Sequence, residues 1–183
     1  MLFGEHSWAW NDNPFLGTAE LSGLKIVVML LSNWDAKDRR DVARGSNTAV
    51  FEYRVPRWEH RPPRWPRPKW EARYLITDWG GAMGKWGRTI VTRGRWDPDG
   101  FEAQTPQFVT GVADGVVSFG YRGQRTADVA ADIPATHARW LFAIARGLSE
   151  RQLVDGLQAS GATDDEAPRF ARALVARIRQ LDV

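Results

Sequence analysis

At 183 residues and 43% hydrophobic, the chain has the length and composition of one globular domain, able to bury roughly 70% of its unfolded surface. It has no Cys, which excludes disulfides, thiolate catalysis and cysteine-based zinc or iron–sulfur sites, and fits a reducing compartment without requiring one. The net charge is a modest +3, and no apolar run reaches the ~18 residues that span a membrane.

The first residues, Met1-Leu2-Phe3-Gly4-Glu5-His6, lack the basic stretch and apolar core of a secretory signal, so the compartment is left open, cytoplasmic by default. His6, His60 and His137 are far apart, without metal-ligand spacing, and there is no G-x-S-x-G. Neither a histidine metal site nor a Ser-His-Asp triad is expected. Ten Trp is unusual, and Trp58, Trp65, Trp70, Trp86 and Trp96 sit among Arg and Pro, where packing against the fold is the expected role.

Residues 11–19 read as a loop with Thr18 as a helix N-cap. From Glu20 to Ser32, Leu21, Leu24, Val27, Val28 and Leu31 recur at helical spacing, and Ile26, Met29 and Leu30 add apolar surface, predicting a nearly buried helix. Residues 48–53 and 72–77 are rich in β-branched and aromatic residues and read as paired strands. Between them, 54–73 holds five of the ten prolines, three Trp, six Arg and one Lys against two Glu, a net charge of +5. Repeated Pro blocks ladder hydrogen bonds, so this reads as an exposed hairpin insertion. Its expected role is a solubilising insert. The functional alternative is contact with an acidic partner or single-stranded nucleic acid, Arg on phosphates and Trp on bases.

Residues 79–107 look loop-like, with Asp97-Pro98-Asp99-Gly100 a turn rather than a calcium loop. Asp114-Gly115 between apolar β-formers predicts a short hairpin. Three helices are expected to close the chain, about 135–147, 150–160 and 164–181. Ser149-x-x-Gln152 and Thr163-x-x-Glu166 would be capping boxes, with Gly161 a C-terminal cap between them. The last helix carries Phe170, Leu174, Ile178 and Leu181 on one face, with Arg169, Arg172, Arg177 and Arg179 read as a solvated surround.

Two short stretches carry chemistry. Asn33-Trp34-Asp35-Ala36-Lys37 follows the apolar helix, and Thr77-Asp78-Trp79-Gly80-Gly81 follows the second strand. Each alone has a plain reading: Asp35 ends a helix, Lys37 is a solvated charge, and Asp78 with its glycines forms a turn. In this order and context they resemble the catalytic and metal-binding loops of kinase-like phosphotransferases, nearer to the atypical, secretory-pathway-kinase-like and lipid-kinase-like branches than to ordinary Ser/Thr kinases.

The resemblance covers the C-terminal lobe, roughly residues 12–180. It implies an α+β, mainly helical single domain over 1–183, with a β-hairpin carrying both loops and three C-terminal helices. It also implies ATP as nucleotide ligand and Mg²⁺ as cofactor. Asp35 would orient the attacking hydroxyl, Lys37 would neutralise phosphoryl charge, and Asp78 would hold Mg²⁺. Gly80 and Gly81 would let the backbone approach a ligand. The usual second metal position is Arg40, which cannot ligate Mg²⁺; Asn47 is the substitute, with Asp38 and Asp41 as nearby oxygen donors. No glycine-rich strand pair or strand-borne Lys precedes the first helix, so the N-lobe is expected to be absent. The chain thus reads as a fragment or pseudokinase-like remnant, inactive by itself. The alternative is a non-catalytic binding or scaffold domain using 54–73.

Overall fold

The computed structural model describes residues 10–11, 13–33, 48–54, 70–84, 96–121 and 127–183. Among these the chain forms α1 (Ala19–Leu30), β1 (Thr48–Arg54), β2 (Trp70–Ile76), α2 (Pro98–Gln104), β3 (Val109–Ala113), β4 (Val116–Phe119), α3 (Ala127–Ala130), α4 (Ala135–Ala145), α5 (Glu150–Ala159) and α6 (Glu166–Arg179). The mixed, helix-rich class expected from the sequence is present. None of the described helices is long and apolar enough to cross a membrane.

Helix α1 begins where expected: the Thr18 hydroxyl accepts from the Leu21 amide at 3.2 Å. It lies at the centre of the core. Leu21, Ile26, Val28, Met29 and Leu30 are buried with Phe101 from α2, Leu141 from α4, and Phe170, Leu174 and Ile178 from α6. Phe101 and Phe170 meet edge to face at 5.2 Å, and Trp96 meets Phe170 at 5.7 Å. Truncating a ring buried this way to Ala costs about 3–5 kcal/mol. The α6 stripe at 170, 174, 178 and 181 is buried as its spacing predicts.

Both sheets are two-stranded and antiparallel. In β1–β2, Thr48 pairs with Ile76 and Arg54 with Trp70. The hairpin docks through Tyr74, whose ring contacts Trp10 at 5.6 Å and Phe15 at 6.2 Å. In β3–β4, Asp114 (φ 51°) and Gly115 (φ 76°) form the tight turn, both in the left-handed region that matches strand twist. Gln180, just past α6, accepts from the Phe108 and Val109 amides at 2.8 and 3.0 Å and fixes the start of β3.

Two expectations are corrected. Of the expected 54–73 hairpin insertion, Arg54 and Trp70–Arg73 are paired in the ladder, and 55–69 lies outside the described residues. The Asp97-Pro98-Asp99-Gly100 turn is the start of helix α2. The Asp97 carboxylate caps the Gly100 amide at 3.0 Å, and Pro98 occupies the first helical turn, where its missing N–H costs nothing. The three terminal helices stand where expected, preceded by a four-residue helix, α3. Arg177 is not solvated but 3% exposed.

The terminal caps follow the sequence. Ser149 and Gln152 exchange both capping-box hydrogen bonds. Thr163 and Glu166 do the same at 3.0 and 3.2 Å, and Gly161 adopts φ 105° after α5.

Candidate functional site

The end of α1 and the loop after β2 are tied together by two hydrogen bonds. The Met83 amide donates to the Leu31 carbonyl at 2.8 Å. The Asn33 side-chain amide donates to the Asp78 carbonyl at 3.0 Å, across 45 residues of sequence. Asn33 is 1% exposed, and among the described residues its Oδ1 is buried without a hydrogen-bond partner.

Beneath this junction lies Arg177, carried in from α6. Its guanidinium donates to the Leu30 carbonyl at 2.8 Å, the Ser32 hydroxyl at 3.1 Å and the Phe101 carbonyl at 2.5 Å, and stacks 3.8 Å from the Phe101 ring centre. The fork geometry of Arg suits three acceptors on two segments. Desolvation pulls its pKa down to about 10, with neighbouring Tyr121 and Glu102 acting the other way, and it remains cationic at neutral pH. Ser32 sits at φ 50°, a left-handed conformation uncommon outside Gly, Asn and Asp, and fully buried. The guanidinium thus satisfies orphan acceptors at the end of α1 and holds the turn that delivers Asn33.

Asp78 is exposed. Its Oδ1 accepts from the Gly80 amide at 2.7 Å in an Asx turn. An added Cβ at Gly80 would lie 3.1 Å from that oxygen, a close approach in the same turn. Gly81 is buried, and Trp79, the aromatic of the motif, is exposed. Of the residues expected to form the site, Asp78, Gly80 and Gly81 share one turn, while Asp35, Lys37 and Asn47, with Asp38, Arg40 and Asp41, lie outside the described residues. Among the described residues, no group of three or more His, Asp or Glu side chains converges as a metal site. Asp78 itself offers a hard, solvent-facing carboxylate with one oxygen engaged by backbone, a suitable single ligand for Mg²⁺.

Two contributors escaped the sequence reading. Asn33 was visible only as the residue before the Trp-Asp-Ala-Lys run, and nothing in the sequence pairs it with Asp78. Arg177 occupies the buried stripe's flank in α6, three residues from Leu174 and one from Ile178, a position that could have marked it as inward-facing. No protein-family model, curated protein or solved structure matches the chain.

Proposed function

We propose that this chain is the catalytic-lobe portion of a kinase-like, ATP- and Mg²⁺-dependent phosphotransferase, inactive as these 183 residues alone. The observation supporting this most is the part-buried Asn33–Asp78 hydrogen bond at 3.0 Å. It fixes the backbone of the metal-loop Asp to a residue only two positions before Asp35, at most about 7 Å of chain. Phosphoryl transfer asks for positioned carboxylates more than for covalent chemistry, and such a tie is what positioning requires. In this reading Asp78 holds Mg²⁺, Asp35 orients the acceptor hydroxyl while sharing the same ion directly or through water, and Lys37 offsets charge on the transferred group. Bound Mg²⁺ would neutralise the nucleotide phosphates.

Among the described residues no glycine-rich strand pair stands ready to cover a nucleotide, so weak or no nucleotide binding is expected. Thermal melts with Mg²⁺ and ATP test this. A shift close to zero is expected for the chain alone. A clear ATP-dependent rise lost in Asp78→Asn would overturn the inactivity and keep the metal role. A rise retained in Asp78→Asn would remove Asp78 from the site.

A further inference from the structure

Sharing no lining residue with the Asn33–Asp78 junction, a cleft of about 530 Å³ opens between the N-terminal loop, α1, α3 and the start of α4. Its chemistry is unusual for a structural crevice. Lys25 lines it while being 6% exposed, and among the described residues its ammonium makes one hydrogen bond, to the Ala131 carbonyl at 2.6 Å. An ammonium carries three donors, so two remain. Asp128 and Asp132 also line the cleft, near enough to act electrostatically on Lys25, yet among the described residues neither closes an ion pair with it. A buried charge is normally paired, because desolvation costs several kcal/mol otherwise. Here a cation and two carboxylates line one open cleft without closing an ion pair among the described residues.

The remaining wall supplies orientation and apolar contact. Ser22, one turn before Lys25 on the same helix face, meets His137 Nδ1 at 2.9 Å, leaving Nε2 of that ring unengaged among the described residues. Leu16 and Leu21 provide apolar surface.

The geometry points to this cleft as a binding site for a free α-amino acid, its carboxylate on Lys25 and its ammonium on Asp128 and Asp132. A ligand with only a carboxylate would meet Lys25 but face two like charges. A ligand with only an amine would leave the buried ammonium unanswered. A zwitterion satisfies both, with charge-assisted hydrogen bonds at each end. The volume admits a side chain beside Leu16 and Leu21, and His137 and Ser22 add polar contacts. None of these residues belongs to the phosphotransferase reading, so the two stand or fall separately.

Titration calorimetry of the full chain with each of the twenty standard amino acids tests it. At least one is expected to bind, and its decarboxylated and deaminated analogues should each bind about tenfold or more weaker, the loss expected when one charged contact is removed. Lys25→Met and Asp132→Asn should each weaken binding similarly, and the exposed Glu150→Gln should not. Because Lys25 is buried, Asp132→Asn and His137→Gln, on less buried residues, keep the test open if Lys25→Met fails to fold. Binding by none of the twenty would overturn the proposal. So would analogues that bind as tightly as the parent, or an Asp132→Asn variant with unchanged affinity.

Discussion

Arg177 puts a desolvated guanidinium under the turn that precedes the candidate site, and its cost is offset by three acceptors and the Phe101 ring. Arg177→Met keeps the aliphatic stem and removes every donor. Two buried carbonyls then lose a partner at about 1–3 kcal/mol each, while relief of the buried charge returns part of this. A net loss of about 2 kcal/mol is expected in urea denaturation. Arg177→Lys should also lose stability, since one ammonium cannot reproduce the fork. Unchanged midpoints in both variants would show that the clamp contributes nothing net. Lys25 gives a pH-dependent counterpart. Burial lowers its pKa, more than Asp132 and Asp128 raise it. As pH rises through the folded value, the unfolded chain holds more protons than the folded one, so stability rises with pH there. Relative to Lys25→Met, the wild-type chain should therefore gain stability as pH rises from the lowered folded value towards the unfolded one at about 10.4, and the gain should level off above that. A gap that stays constant with pH would mean that Lys25 is not desolvated.

At the scale of elements, α1 and α4 cross at Gly23, where an added Cβ would lie 2.8 Å from the Trp140 ring. Gly in a helix interior costs about 1 kcal/mol relative to Ala, so Gly23→Ala would gain that amount if space allowed. Overpacking costs about 1–3 kcal/mol, and the larger effect should win, giving a net loss near 1 kcal/mol. In a Trp140→Leu background the ring is gone and the same substitution should become stabilising; thermal melts of the four proteins read the change of sign. Periodicity and capping chemistry made much of this architecture legible. The α1 stripe, Thr18, the Ser149 and Thr163 boxes and the Asp114-Gly115 turn are local signals, and local hydrogen bonding decided them. Helix α2 escaped because Asp-Pro-Asp-Gly is ambiguous between a turn and an N-terminal cap. Packing of Phe101 against Phe170 resolves it in favour of helix. Within the candidate site, Asp78 and its glycines were legible as a motif. The Asn33 and Arg177 contacts were not, because they join residues 45 and 145–147 positions apart.

For the whole molecule, α1 divides the protein's chemistry. Its C-terminal end carries the Arg177 clamp and the Asn33–Asp78 tie, and its N-terminal half forms one wall of the cleft around Lys25. The phosphotransferase reading rests on the first of these: Asp35 and Asp78 must serve one cation. Mn²⁺, a paramagnetic stand-in for Mg²⁺ with similar oxygen preference, reports this directly through loss of its free-ion electron paramagnetic resonance signal. The account predicts one weak site on the wild-type chain. Asp35→Asn and Asp78→Asn should each weaken it by about tenfold or more, and the double variant should lose little beyond either single one, because the two carboxylates share an ion. A wild-type chain that takes up no Mn²⁺, or a site that Asp35→Asn leaves unchanged, would contradict it.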